Sequence, residues 1–176
     1  MTPLTPQQRA ERAAAAMWAG DAASQALGMR LVEVAPGRAV VEMVVRADMI
    51  NGQEIGHGGL TFTLADSAFA FACNSHNRRT VARECEIRFL APTRRGDVLR
   101  AEAVERHREG RDGIYEVTVR SRGEAGDHMG GPGDGADPDD ATADGADQGR
   151  VVALFTGRSR EVGGTHVPED PPQDPA

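Results

Sequence analysis

The chain has 176 residues and a formal net charge of −7, with 39% apolar and 4% aromatic residues. That length suits one domain of ordinary size, and no apolar run approaches the roughly 20 residues that a membrane-spanning helix needs. The first residues lack the basic-then-apolar order of a secretory signal, and Cys73 and Cys85 are too few for a disulfide framework or a four-cysteine zinc site. We therefore expect a cytoplasmic protein with reduced thiols, without a membrane span and without a metal.

The acidic charge is concentrated in one segment. Residues 124–148 contain eight Asp and Glu residues and no arginine, and without them the net charge would be +1. Such a Gly-, Asp- and Ala-rich segment buries too little apolar surface to offset its ordering entropy, so we expect a disordered insertion over about residues 123–149. The Asp-x-Asp-x-Asp-Gly pattern of a calcium loop is missing. The rest of the chain has no basic helix or aromatic-and-basic strand, which argues against a nucleic-acid partner.

The start of the chain has helical signals. Thr5 can cap a helix whose first turn contains Pro6, and Ala-rich sequence then runs to Gly20. A short second helix is predicted over residues 22–27. Residues 1–27 therefore form a predicted N-terminal helical segment.

From residue 30 onward the pattern has the period of a β-strand, with one exception. Pro36-Gly37 separates two alternating runs and predicts a hairpin. A long apolar helix is then predicted over residues 59–75. The predicted strands cover residues 30–35, 38–46, 79–90, 98–108, 114–120 and 150–160. The acidic segment thus interrupts a hairpin between the last two strands, where a long insertion changes the stability little.

The order of these elements indicates the fold class. The helix over 59–75 is apolar almost all round, which is typical of a buried helix. A sheet must have its apolar face covered, and this helix alone is hydrophobic enough to cover it. We therefore predict an α+β fold in which an antiparallel sheet wraps around one long buried helix. The domain is predicted to span 28–164, and a disordered, Pro-rich tail to follow over 165–176.

Asp66 is the one ionisable acid in the predicted buried helix. Burying an unpaired carboxylate costs several kcal/mol, so an apolar helix should contain one only where it faces a cleft or a partner. A carboxylate at the solvent edge of the helix is the structural alternative. The functional interpretation is a general base or nucleophile whose pKa is shifted by desolvation.

The start of the same helix carries a second signal. Around Gly58, the sequence Gly-His-Gly-Gly over residues 56–59 places small residues where a helix leaves its first N–H groups unpaired, and such an end can stabilise an oxyanion. Gly58 and Asp66 are eight residues apart, which is about 12 Å along a helix. They cannot both contact one carbonyl carbon within a single chain. If they cooperate, the sequence predicts a symmetric dimer with composite sites at its interface.

Other catalytic patterns are missing from the sequence. It has no Gly-x-Ser-x-Gly elbow, no His-Glu-x-x-His, no Cys-x-x-Cys and no P-loop. Cys73 lies in the apolar helix without an evident histidine partner, so we interpret it as a core residue.

Three stretches resemble one known family. They are DMINGQEIGHGGLTFTLADSAFAFACNS, EIRFLAPTRRGDVLRAEA and VVALFTGRSREVGG. They resemble the phenylacetic-acid degradation thioesterases of the PaaI type, within the hotdog-fold acyl-CoA thioesterase superfamily. The similarity covers about residues 28–164 without the acidic insertion. It implies the hotdog fold, hydrolysis of an aryl-acetyl-CoA such as phenylacetyl- or hydroxyphenylacetyl-CoA, and no cofactor beyond the coenzyme A of the substrate. It also implies homodimers that pair edge to edge and commonly assemble into homotetramers.

The resemblance assigns roles to individual residues. The family's catalytic acid falls on Asp66, and its oxyanion-binding amide falls on Gly58, with His57 just before it. Its polar residue on the preceding loop falls on Asn51. In such enzymes the acid comes from one subunit and the amide from the other, which agrees with the distance argument. Asp66 would act as general base or as nucleophile, and the sequence leaves both routes open.

The coenzyme A phosphates require positive charge near the site. On charge alone, the candidates are Arg83, Arg94, Arg95 and Arg158.

Two other classes remain open. A hotdog enoyl-CoA hydratase needs an Asp followed five positions later by His, but Asp48 is followed at that spacing by Gln53 and Asp66 by Phe71. A non-catalytic acyl-CoA-binding module would share the fold and lack turnover.

Overall fold

A computed structural model describes residues 3–123 and 149–168 of the chain. Residues 124–148, which make up nearly all of the insertion predicted over about 123–149, lie outside the described residues, and so does the end of the predicted tail, 169–176. The elements are α1 (Pro6–Gly20), α2 (Ala22–Ala26), β1 (Arg30–Ala35), β2 (Arg38–Val44), α3 (Gly58–Asn74), β3 (Thr80–Phe89), β4 (Val98–Glu109), β5 (Asp112–Arg122) and β6 (Arg150–Glu161). Each matches a helix or strand expected from the sequence.

The N-terminal helix begins at the cap that the sequence indicates. The Thr5 side chain accepts a hydrogen bond from the Gln8 N–H, and the Gln8 side chain accepts one from the Thr5 N–H. This reciprocal capping box satisfies two of the unpaired donors at the helix start. Trp18 of α1 packs against Phe71 of α3 with ring centroids 5.9 Å apart. The N-terminal segment therefore packs onto the domain.

The sheet has the strand order β1-β2-β4-β5-β6-β3, and all neighbouring strands are antiparallel. Ser121 of β5 pairs with Arg150 at the start of β6, so the acidic segment interrupts the hairpin between the last two strands, as predicted. β3 lies at an edge of the sheet, and two of its apolar side chains, Val81 and Phe89, are 50% and 55% exposed.

Helix α3 packs against all six strands of this sheet. Alanines at positions 65, 68 and 72 are fully buried and let the helix approach the strands closely. Phe69 stacks on the β6 backbone, where a Cβ added at Gly157 would lie 2.9 Å from its ring. The prediction of an antiparallel sheet around one buried helix is confirmed. Within the described ranges, no helix is long and apolar enough to cross a membrane.

The C-terminal segment differs from the sequence expectation. A disordered tail was predicted from residue 165, but the N–H groups of His166 and Val167 both donate to the Asn77 Oδ1, at 3.1 and 3.0 Å. The Asn77 side-chain amide donates in turn to the Val167 carbonyl at 3.0 Å. The prediction is therefore wrong for residues 165–168, because a buried asparagine after α3 binds a segment whose composition indicates no order.

Candidate active site

Asp66 lies in the third turn of α3, and its side chain is partly buried. The Cys85 thiol of β3 lies 3.9 Å from the Asp66 Oδ1 and donates a weak hydrogen bond to it. Burial raises the pKa of the Asp66 carboxyl, and the thiol opposes this shift in part. The Asp66 carboxylate thus lies in partly apolar surroundings, as expected from the sequence, and the Cys85 thiol is the weak donor beside it.

A groove of about 470 Å³ runs beside this carboxylate. It lies between the C-terminal half of α3 and the first residues of β3, and α1 and the segment after β6 close its sides. The lining residues are Met17, Asp66, Phe69, Ala70, Cys73, Asn74, Arg79, Thr80, Val81, Ala82, Val162 and His166. Most of these side chains are apolar, so the groove suits an apolar group attached to a centre beside Asp66.

The start of α3 leaves one donor unused. The Gly59 N–H donates to the His57 Nδ1 at 3.0 Å, and the N–H groups of Leu60 and Thr61 reach the His57 carbonyl at 2.9 and 3.4 Å. The Gly58 N–H has no hydrogen-bond partner among the described residues. His57 therefore caps the helix and leaves a single N–H group available to a ligand oxygen.

Glycine at position 58 lies close to an aromatic ring of β3. A Cβ added there would lie 3.2 Å from the Phe89 Cζ, so this ring, which is 55% exposed, would have to shift by a few tenths of an ångström. The absence of a side chain therefore leaves space between the helix start and the ring.

Asn51 lies in the loop that leads into this helix. Its Oδ1 accepts from the Gln53 N–H at 2.8 Å, and its own N–H donates to the Ile55 carbonyl at 2.8 Å. The His57 N–H donates to the Met49 carbonyl at 2.8 Å, which fixes the loop against the helix start. Because the Asn51 Oδ1 is engaged, its side-chain N–H₂ is the part left to bind a ligand.

The structure brings three of the four predicted catalytic residues together and separates the fourth. His57 and Gly58 lie at the start of α3 and Asn51 lies in the loop before it, whereas Asp66 lies eight residues beyond Gly58 on the same helix, about 12 Å away. Within one chain, the oxyanion donor and the carboxylate therefore do not converge.

The four arginines predicted for phosphate binding lie in two places. Arg83 and Arg158 project from neighbouring strands, and each has an acidic neighbour, Asp112 and Glu84 respectively, at 3.6 Å. Arg94 and Arg95 are exposed in the loop before β4 and make no ion pair with another described residue.

That loop borders the helix start. The Gly56 N–H donates to the Thr93 carbonyl at 2.8 Å, so the loop that carries Arg94 and Arg95 is bonded to the chain two residues before Gly58. The structure thus separates the pair at 94 and 95 from the pair at 83 and 158.

Burial keeps both cysteines near Asp66 in the protonated thiol form. Burial raises the pKa of Cys73 to about 12 and that of Cys85 to about 11, and the Asp66 charge adds to both shifts. Cys73 is 4% exposed and packs in the core, as predicted. Sequence reasoning missed the contact between Cys85 and Asp66, because the two residues are on different elements.

Within residues 3–123 and 149–168, no cluster of three or more His, Cys, Asp or Glu side chains could hold a metal ion.

Comparisons with known proteins agree with this architecture. The model of the thioesterase superfamily matches residues 54–126. The acyl-coenzyme A thioesterase PaaI of Escherichia coli is 38% identical over 150 residues, which cover 85% of this chain and 89% of that protein. A putative esterase of Archaeoglobus fulgidus is 36% identical over 114 residues, which cover 65% of this chain and 74% of that protein.

Solved structures give the same result. The structure of the E. coli PaaI protein from the phenylacetic acid degradation operon superposes with a TM-score of 0.75 at 37% identity, covering 92% of this chain and 99% of that one. A mutant of PaaI from Thermus thermophilus gives a TM-score of 0.62 at 33% identity, covering 79% and 97%.

The fold and the site define a hotdog-fold thioesterase, an enzyme of the thioester hydrolase class. The chain belongs to the PaaI-type acyl-CoA thioesterase family within that superfamily. The resemblance read from the sequence and the predicted hotdog fold are thereby confirmed.

Proposed function

We propose that the protein hydrolyses aryl-acetyl-CoA thioesters, such as phenylacetyl- or hydroxyphenylacetyl-CoA, to the free acid and coenzyme A. The observation that carries this proposal is the partly buried Asp66 carboxylate beside an apolar groove. The helix that carries it, α3, begins with the Gly58 N–H, which has no partner among the described residues. The name of the E. coli relative, which refers to phenylacetic acid degradation, supports the aryl-acetyl group.

The proposed active site is composite and requires two copies of the chain. β3 is an edge strand with exposed Val81 and Phe89, and such an edge favours pairing with a second strand. A symmetric antiparallel pairing about the middle of β3 sets Phe89 of one copy opposite Thr80 of the other. Since Phe89 covers Gly58 and Thr80 lines the Asp66 groove, this pairing carries the free N–H of one copy to the carboxylate of its twin.

In the proposed reaction the thioester oxygen accepts from the Gly58 N–H, at the positive end of α3. Negative charge grows on this oxygen as the tetrahedral intermediate forms, and the donor is already oriented to meet it. Asn51 and His57 orient the carbonyl or the water. Collapse of the intermediate breaks the carbon–sulfur bond, and the coenzyme A thiolate leaves and takes up a proton.

Two routes are open to the Asp66 carboxylate. As general base it removes a proton from the attacking water and later supplies it to the thiolate. As nucleophile it attacks the carbonyl carbon, and water then hydrolyses the resulting anhydride. A single turnover in ¹⁸O-water tests the nucleophilic route, because ¹⁸O enters the Asp66 side chain only when water opens an anhydride at the Asp66 carbonyl carbon.

The coenzyme A phosphates are proposed to bind at the arginines, with Arg94 and Arg95 as the pair on the loop bonded next to the start of α3. Arg83 and Arg158 remain the second candidate pair, on the β3 and β6 strands. Replacing both arginines of a pair by Gln tests whether that pair binds the phosphates. For the pair that does, the replacement should raise KM more than it lowers kcat.

The experiment that tests the activity is thiol release from phenylacetyl-CoA, followed with dithionitrobenzoate. Asp66→Asn should lower kcat at least 100-fold, because the variant loses the only charged group at the groove that can act as base. Near wild-type turnover in Asp66→Asn would contradict the proposed role. A binding module would release no thiol, and a hydratase would change enoyl absorbance instead.

We further propose a cytoplasmic enzyme that forms homodimers and pairs them into homotetramers. Light scattering coupled to gel filtration measures the assembly. A Val81→Arg variant, which places a charge on the β3 edge, should give monomers; the mass of the particle is the readout, because Val81 also lines the groove.

A further inference from the structure

The loop before α3, residues 50–56, is a short hairpin that we call the Asn51 loop. The Asn51 N–H donates to the Ile55 carbonyl at 2.8 Å, and the Glu54 N–H donates to the Asn51 carbonyl at 3.0 Å. The chain therefore reverses its direction over residues 52–54, and Glu54 is the last residue of this reversal.

Glu54 has a backbone conformation that glutamate rarely adopts. Its φ is 61°, in the left-handed region, where the Cβ lies too close to the following carbonyl oxygen. In hairpin loops of three residues, the left-handed position is usually occupied by glycine. The Glu54 side chain is exposed and makes no hydrogen bond or ion pair with another described residue. Strain that persists beside a candidate site, with no contact of its own to offset it, indicates that another group depends on this conformation.

The group that depends on it is the side chain of Asn51. Its Oδ1 accepts from the Gln53 N–H at 2.8 Å and from the Ile55 N–H at 3.4 Å. Because both donors are backbone N–H groups, only the oxygen of the side-chain amide can face them. The Asn51 N–H₂ therefore points away from the loop backbone, and it has no partner among the described residues. The Ile55 N–H belongs to the peptide that follows Glu54, so the Glu54 backbone directs it at the Asn51 oxygen.

The base of the Asn51 loop is held independently of its tip. An antiparallel bridge closes the loop, and the His57 N–H donates to the Met49 carbonyl at 2.8 Å. These bonds fix the start of α3. A change of backbone conformation at Glu54 should therefore affect the Asn51 side chain more than the Gly58 N–H.

We propose that Glu54 is a positioning residue for the reaction. Its left-handed backbone keeps the Asn51 side-chain oxygen bonded within the loop, so that the N–H₂ faces the thioester carbonyl or the attacking water. This rests on the proposed function, in which Asn51 orients one of these two groups. Glu54 acts through its backbone and not through its charge. Because it orients a group at the reacting centre, its effect falls on kcat and not on KM.

The test measures kcat and KM for phenylacetyl-CoA in the full-length protein. Glu54→Val should lower kcat about tenfold, the effect of one neutral hydrogen bond, because a β-branched residue fits the left-handed region poorly. Its KM should change less than about twofold. Glu54→Gly, which adopts this region freely, and Glu54→Gln, which removes only the charge, should keep kcat within about twofold of the wild type. The matched control is Gln53→Val, one residue earlier, where φ is not left-handed and kcat should be retained.

A double-mutant cycle separates positioning from a general effect on the loop. Asn51→Asp keeps an acceptor oxygen for both backbone N–H groups and lacks the N–H₂. In that background Glu54→Val should lower kcat by less than about twofold, because the group that Glu54 orients is gone. A loss of about tenfold in both backgrounds would overturn the proposal.

Nuclear magnetic resonance measures the orientation of the Asn51 amide without turnover. The chain has three asparagines, at positions 51, 74 and 77, so selective ¹⁵N labelling of asparagine gives three side-chain amide signals. The Asn51 signal is identified by its loss in Asn51→Asp. Glu54→Val should shift this signal, while the signals of the buried Asn74 and Asn77 stay in place and show that the variant is folded.

An Asn51 signal that does not shift in Glu54→Val, or an unchanged kcat in this variant of an active enzyme, would overturn the proposal. Failure of the proposed function gives a different result. If the wild type releases no thiol from phenylacetyl-CoA but the Asn51 signal shifts in Glu54→Val and not in Glu54→Gln, the proposed function fails and the orientation of Asn51 by Glu54 stands.

Discussion

The two ends of α3 face the same requirement and meet it differently. A helix has unpaired N–H groups at its start and unpaired carbonyls at its end. At the end, the Ser75 hydroxyl donates to the Ala72 carbonyl and accepts from the Gly37 N–H, both at 2.7 Å. Ser75 is 1% exposed, so these bonds join the helix to the β1–β2 turn inside the protein.

At the start, by contrast, His57 satisfies three N–H groups and leaves the fourth without a partner among the described residues. The loop around it is exposed, and glycine at position 58 allows an atom to approach. The comparison teaches that the end bonded through Ser75 to the β1–β2 turn stabilises the fold, whereas the end with an unused donor is available for chemistry.

Between the two ends of α3, the larger effect on turnover should come from a change beside the unused donor. Gly58→Ala brings a Cβ within 3.2 Å of the Phe89 ring and adds a methyl group beside the N–H. We expect kcat/KM for phenylacetyl-CoA to fall about 100-fold, the effect of one lost oxyanion donor. The matched control is Gly52→Ala in the preceding loop, where a Cβ would meet nothing within 4 Å. Equal losses in the two variants would contradict the assignment.

At the C-terminal end of α3, removing a hydrogen-bonding group should lower the stability of the fold and leave the activity nearly unchanged. Ser75→Ala leaves the buried Gly37 N–H without its partner, so the free energy of unfolding should fall by about 1–3 kcal/mol. Urea denaturation measures this loss, and kcat of the folded variant should stay within about twofold. A large drop in kcat with unchanged stability would mean that both ends of α3 serve the reaction.

Between the two ends, Asp66 should lower stability at neutral pH. Its folded-state pKa is raised by burial, so its favourable contribution is present in acid and is lost as the pH rises through that pKa. Asp66→Asn should therefore unfold at higher urea than the wild type at pH 7, and the difference should vanish at low pH. Asp48→Asn is the control of opposite sign, because its bond to Arg46 lowers the pKa of Asp48. A less stable Asp66→Asn at pH 7 would contradict the assigned environment.

The smallest expected effect concerns the thiol beside Asp66. The Cys85 hydrogen bond lowers the pKa of the Asp66 carboxyl, against the larger effect of burial. Cys85→Ala should move the acidic limb of the kcat/KM profile to higher pH by less than about one unit. Cys85→Ser, with a stronger donor, should move it the other way. Profiles that coincide for all three proteins would show that the thiol does not act on the carboxyl.

Much of the fold was predictable because local patterns and global packing agree. The capping residues at Thr5, the Pro36-Gly37 turn and the almost wholly apolar helix each indicated one element, and each formed there. The tail was mispredicted for residues 165–168 because its composition indicates no order, and its order comes from Asn77, almost ninety residues earlier in the chain.

The candidate site was predictable only in part. Asp66 was recognisable as a charged residue in an apolar helix, and Gly58 as part of a glycine-rich helix start. Both are signals from neighbouring residues in the sequence. The contact of Cys85 with Asp66 and that of His166 with Asn74 have no such signal, because each joins elements separated along the chain.

The sequence by itself determined the element order, the antiparallel sheet around one helix, the family, and the lone carboxylate within that helix. These depend on residue type and spacing along the chain, which periodicity and capping report directly. Only the tertiary structure decided that His57 leaves the Gly58 N–H free, that a thiol faces Asp66, and that the C-terminal segment closes the groove. These depend on distances between strands and loops remote in sequence, which are set when the sheet and α3 pack together.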